Sequence, residues 1–168
     1  MGRYRPPQKP SSKYITPQGK KTIEDELHYL WKEKRPIVTQ SVSEAAAQGD
    51  RSENAEYIYG KKQLREIDSR VRYLSKRLDD MIEVDRIPEN TKKVFFGAWV
   101  ELEDDKGQIK QFRIVGPDEF NLKLGLISMD SPLAQALLNK LEGEDIIAQG
   151  PHGLLEYYLN KVQYQPFK

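Results

Sequence analysis

The chain has 168 residues, of which 38% are hydrophobic and 32% charged, and its mean hydropathy is −0.75. Charged residues exceed the usual quarter of a compact domain, so part of the chain must expose much surface for each residue it buries, as a long helical element does. A net charge of +1 excludes a polyanion binder that works through overall charge, and the absence of Cys excludes disulfides, thiol nucleophiles and Cys-ligated metals.

The charge is uneven. Residues 1–92 carry 19 Lys+Arg against 15 Asp+Glu, and residues 93–168 carry 8 against 11. A basic face therefore belongs to the N-terminal half. No apolar run approaches the ~20 residues that span a bilayer, and the first thirteen residues lack the apolar core of a signal peptide. A cytoplasmic protein without a membrane partner is expected.

Residues 1–14 read as a flexible tail, because Pro6, Pro7 and Pro10 oppose a helix and nothing there can form a core. Thr16-Pro17 then announces a helix, with Thr16 as N-cap and Pro17 at the first helical position. Ile23, Leu27 and Leu30 recur at helical spacing, and Ile37 continues the seam seven residues on. Pro36 should bend or loosen this helix, and Gly49 marks its end. A second helix carries Tyr57, Leu64, Ile67, Val71, Leu74, Leu78 and Met81, alternating in threes and fours as an a/d seam. The two helices should pair as an antiparallel hairpin. About 30 residues per arm gives a rod of roughly 45 Å.

After Pro88 the period changes. Val94–Leu102 and Ile109–Val115 are strand-like and are joined by a turn at Asp104–Gly107, which predicts a β-hairpin. Leu124–Met129 predicts a further strand. Ser131 and Pro132 open a short helix through Asn139, and Leu154–Tyr164 closes the chain as an apolar run. The expected fold class is α+β: a helical hairpin over 15–88 and a small, mostly antiparallel sheet domain over 93–168.

Between the two helices stands Gly49-Asp50-Arg51-Ser52-Glu53-Asn54-Ala55. Asp50 and Glu53 have capping-box spacing, and acids are favoured at a helix N-terminus. The same pair could instead supply carboxylates to Mg²⁺, which takes one or two from a protein and completes its shell with water and phosphate. His28 and His152 are isolated and, with no Cys, give no zinc pattern.

The stretch GDRSENAEY resembles the acidic tip of the Gre family of bacterial transcript-cleavage factors. Tyr29–Pro36 (YLWKEKRP), Arg70–Leu74 (RVRYL) and Val94–Glu101 (VFFGAWVE) are similar to its GreB branch, and the resemblance runs from about Ile15 to Phe167. It implies a coiled coil that enters the secondary channel of bacterial RNA polymerase, where Asp50 and Glu53 help bind the second Mg²⁺ and position water against a backtracked RNA 3′ end. On this basis the protein stimulates the cleavage activity of the polymerase and is not itself an enzyme.

The resemblance also assigns Arg51, Asn54, Tyr57, Lys61, Lys62 and Arg65 to the extruded RNA. Each has an alternative: the cations as a solvated helix face, Tyr57 as a seam residue. Asp130, Ser131 and Pro132 match the corner that docks on the polymerase, although they also read as a helix start. The C-terminal domain is expected to be FKBP-like, and the protein a monomer. Rival readings are a channel-binding inhibitor, a peptidyl-prolyl isomerase, and a nucleic-acid binder acting alone.

Overall fold

A computed structural model of the chain describes residues 7–168. In chain order the elements are β1 (Tyr14–Ile15), α1 (Pro17–Tyr29), a π-helical turn (Leu30–Lys34), α2 (Arg35–Ala47) and α3 (Ala55–Asp80). They continue with β2 (Ile82–Glu83), β3 (Trp99–Asp104), β4 (Ile109–Val115), β5 (Leu126–Ser128), α4 (Pro132–Leu137), β6 (Asp145–Gly150) and β7 (Gly153–Gln163). The chain divides into two compact units, Lys20–Met81 and a second made of the described residues up to Gly19 with Ile82–Lys168. The fold is α+β. No helix among the described residues is long and apolar enough to cross a membrane.

The first unit is the helical hairpin. Ile23, Leu30, Val38, Val42 and Ala45 are buried on one arm, and Gly60, Ile67 and Leu74 on the other. Burial of the Ile, Leu and Val side chains among them, about 1.5–3 kcal/mol each, holds the arms together along one seam. The seam does not follow the expected register: Ile37 is 66% exposed and Val38 is 7% exposed. The cause lies one turn earlier. The Arg35 N–H reaches back five residues to the Leu30 carbonyl, so the π-helical turn inserts one residue and moves the seam from Ile37 to Val38. This loosened turn directly precedes Pro36, which has no N–H to continue an α-helical ladder. α3 ends at Asp80, earlier than the expected Pro88.

In the second unit a five-stranded sheet has the order β5-β4-β3-β7-β6. Its pairings are antiparallel except for the parallel β4–β5 pair. The β3–β4 hairpin turns at Asp104, whose side chain accepts from the Lys106 and Gln108 N–H groups at 3.0 and 2.9 Å. Val100, Leu102, Ile114, Ile146 and Leu159 close over Ala134 and Leu137 of α4, and all are fully buried. Several expected bounds move: the first strand starts at Trp99 rather than Val94, and Leu122–Leu124 is a 3-10 turn. α4 stops at Leu137, and β6 had no counterpart in the sequence expectation.

The expected tail is also corrected. Residues 1–6 lie outside the described residues. Tyr14 and Ile15, however, pair in parallel with Ile82 and Glu83, and Ile15 and Thr16 are each 1% exposed. Thr16 caps α1 by accepting the Gly19 N–H at 3.1 Å, as its position before Pro17 predicts. Its hydroxyl donates to the Glu119 carboxylate, which also accepts the Thr16 N–H at 3.0 Å and the Gly116 N–H at 2.9 Å. One carboxylate thus fastens the segment ahead of α1 to the 116–119 turn.

Candidate functional site

The loop from Gln48 to Asn54 joins α2 to α3 at the end of the hairpin. Gly49 has φ +140°, a conformation that a side chain would strain, and lets the chain leave α2. α3 is capped by Asn54: its Oδ1 accepts the Tyr57 N–H at 3.1 Å, and its Nδ2 donates to the Ala45 carbonyl at 2.7 Å. One side chain therefore starts the second arm and ties it to the first. This replaces the capping box considered for Asp50 and Glu53, since the cap lies beyond both.

Released from capping, the two acids face solvent. Asp50 Oδ1 accepts from the Ser52 N–H at 2.9 Å and the Ser52 hydroxyl at 2.8 Å. These bonds, the backbone one foremost, hold the Asp50 carboxyl below its ordinary value. The two bonds orient the side chain. Among the described residues Glu53 has no hydrogen-bond or ion-pair partner. No group of three or more His, Cys, Asp or Glu suited to a metal ion occurs among the described residues. Asp50 and Glu53 are hard oxygen donors of the type Mg²⁺ takes, but two exposed carboxylates require further donors from elsewhere.

The Arg51 guanidinium lies 5.8 Å from the centre of the Tyr57 ring, a cation–π distance. Tyr57 is half-buried. Lys61, Lys62 and Arg65 are exposed on the first turns of α3. Lys62 and Arg65 continue into a groove of about 520 Å³ lined also by Glu66, Ser69, Arg70 and Tyr73. Within it the Arg70 guanidinium lies 5.5 Å from the Tyr73 ring centre and binds Glu26 at 2.7 Å.

Asp130, Ser131 and Pro132 belong to the other unit. Ser131 caps α4 by accepting the Ala134 N–H at 3.2 Å, with Pro132 at the first helical position. Asp130 is exposed, and one of its carboxylate oxygens accepts the Ser12 N–H at 2.8 Å.

Three contributors escaped the sequence: Ser52, Ser12 and Gly60. Asp-x-Ser spacing is a recognised local turn signal and could have revealed Ser52. The other two depend on tertiary contacts.

Known proteins share this sequence along its length. The family model for the N-terminal part of transcription elongation factors matches residues 13–82, and that for the GreA/GreB C-terminal part matches residues 89–164. Transcription elongation factor GreB of Haemophilus ducreyi is 58% identical over 153 residues, 91% of this chain and 94% of that one. The protein of the same name from Yersinia pestis is 54% identical, covering 93% and 91%. That of Pseudomonas aeruginosa is 52% identical over 166 residues, 99% of each chain. Among solved structures, GreA factor homolog 1 (Gfh1) of Thermus thermophilus overlaps at a TM-score of 0.40 with 22% identity, over 89% of this chain and 97% of that one. The family assignment rests on the sequence matches and not on that overlap. Two consecutive family models and relatives above 50% identity over nearly the whole length give one conclusion: the chain belongs to the GreA/GreB family of transcription elongation factors.

Proposed function

We propose that this elongation factor acts as a monomer that inserts its helical hairpin into the secondary channel of bacterial RNA polymerase and stimulates cleavage of backtracked RNA. The observation that carries this is the pair of exposed carboxylates at the hairpin end. Asp50 is oriented by Ser52, and Glu53 has no protein partner among the described residues. A capping or ion-pairing role would have consumed them. Left open, they suit a divalent cation whose remaining ligands lie on polymerase and RNA phosphate.

Asp50 and Glu53 would help hold Mg²⁺, whose chemistry when bound is to activate water and stabilise the in-line transition state of phosphodiester hydrolysis. The chain's own contribution is positional. Asn54 and Ala45 fix the loop against both arms, Ser52 aims the Asp50 carboxylate, and Arg51 rests on Tyr57. Lys61, Lys62 and Arg65 present positive charge behind the acids, where extruded RNA would pass. Asp130 to Pro132 form the docking corner on the channel rim. The nuclease is the polymerase, with this protein supplying ligands in trans.

The direct test adds the protein to purified backtracked elongation complexes in Mg²⁺ buffer. Short 3′ fragments appearing faster than with polymerase alone support the reading; binding without faster cleavage identifies a channel inhibitor instead.

A further inference from the structure

The segment ahead of the first helix forms part of the surface around Asp130. Ser12 donates its backbone N–H to the Asp130 carboxylate at 2.8 Å, and its hydroxyl lies 2.9 Å from the Met129 sulfur. The bond joins residues 118 positions apart, so it is not a local turn. The segment is held in place just beyond it: the Lys13 carbonyl accepts the Ile82 N–H at 2.8 Å, and the Ile15 carbonyl accepts the Val84 N–H at 2.9 Å. Tyr14 packs on Phe96 with ring centres 5.8 Å apart. Gly116 lies so close to the Tyr14 carbonyl that an added Cβ would come within 2.1 Å. Ser12 is therefore delivered to Asp130 by an anchored strand.

From the other side, the Asp130 N–H donates to the Ser128 hydroxyl at 3.1 Å. That bond fixes the Asp130 main chain, and the Ser12 N–H fixes its carboxylate. An exposed aspartate otherwise samples several rotamers, and docking must then immobilise it at an entropic cost.

We propose that Ser12 is a positioning residue for polymerase docking: its backbone N–H pre-orients the Asp130 carboxylate, making the N-terminal segment part of the docking corner. The proposal rests on the assignment of Asp130 to docking, and its test separates the two. An exposed hydrogen bond of this kind is worth a factor of about 3 to 10 in affinity.

Ser12→Pro removes the N–H together with the hydroxyl, in a segment that already contains Pro10, and Ser12→Ala, which removes the hydroxyl alone, should bind like the wild type. Affinity for purified bacterial core RNA polymerase would be measured for the full chain, Ser12→Pro, Asp130→Asn and the double variant. The maximal cleavage rate at saturating protein would be measured beside it.

The proposal expects Ser12→Pro to weaken binding about 3- to 10-fold and to leave the saturating cleavage rate and melting temperature unchanged. In the Asp130→Asn background the same change should cost little more, because the group it orients is already altered. Wild-type affinity for Ser12→Pro alongside weakened Asp130→Asn overturns the proposal and keeps the docking assignment. So does a Ser12→Pro loss that remains full in the double variant. Wild-type affinity for Asp130→Asn removes the docking assignment and the proposal with it.

Discussion

The Asn54 side-chain amide lies 2.7 Å from the Ala45 carbonyl, bridging the last full turn of one arm to the first residues of the other. The same side chain caps α3 through the Tyr57 N–H. Removing an N-cap alone costs about 0.5–2 kcal/mol, and the bridging bond adds to it. Asn54→Ala should destabilise the hairpin by about 1–2 kcal/mol and reduce stimulated cleavage. Asn54→Asp should retain the cap and lose the bridge, falling between. Thermal unfolding followed at 222 nm, with cleavage rates, checks both; full activity in Asn54→Ala would mean that the loop does not depend on this tie.

Gly60 and Val42 set how closely the arms approach. An added Cβ at position 60 would meet Val42 Cγ2 at 2.5 Å. Ala gains about 1 kcal/mol over Gly in a helix, while overpacking costs about 1–3 kcal/mol. Gly60→Ala should therefore destabilise by about 1 kcal/mol despite its better helix propensity. Its cost should shrink when Val42→Ala opens the facing space, in a double-mutant cycle read by denaturant unfolding. Strict additivity would mean that the added methyl does not press on Val42.

The hairpin was legible because Ile67, Leu74 and their neighbours repeat with helical period, and the tip acids because they interrupt that period between two seams. The boundary of the first arm was not: a π-helical turn shifts the seam from Ile37 to Val38, and heptad counting cannot see an inserted residue. β1 escaped because two residues carry no period, and Tyr14 and Ile15 are strand only because Ile82 and Glu83 lie beside them. β6 was hidden by the glycine and acids leading into it, Gly143-Glu144-Asp145, which read locally as a turn. The cap was misplaced because Asp50-x-x-Glu53 satisfies a spacing rule that Asn54 satisfies better in three dimensions.

Ser52 should tune the charge of Asp50. Both Ser52 donors hold the Asp50 carboxyl below its ordinary value. Ser52→Ala removes the hydroxyl and keeps the N–H, so the Asp50 pKa should rise part of the way back. A ¹³C carboxyl NMR titration reads this directly, and an unchanged pKa would leave the hydroxyl without influence. The sign for stability follows. A carboxyl depressed on folding stabilises above its unfolded pKa, and that contribution is lost as pH falls through the folded value. The mutant should lose part of it at neutral pH and show a weaker acid dependence.

Lys62 and Arg65 should act through phosphate charge. Lys62→Ala with Arg65→Ala should raise the protein concentration that gives half-maximal cleavage and flatten its dependence on salt. The slope should fall by about 0.7 for each phosphate of the single strand that the variant no longer neutralises. An unaltered salt slope would identify these cations as a solvated helix face.

The central claim is that Asp50 and Glu53 serve chemistry and not docking or folding. The most direct measurement is cleavage of RNA in backtracked elongation complexes by saturating Asp50→Asn and Glu53→Gln, with polymerase affinity measured in parallel. Losing a direct metal ligand should cost at least as much as losing the supporting groups around one, about 10- to 100-fold. That loss in cleavage is expected with affinity within about 2-fold of wild type, because exposed tip charges contribute little to docking. Cleavage near the wild-type rate in either variant, or a fall in cleavage matched by an equal fall in affinity, would contradict it.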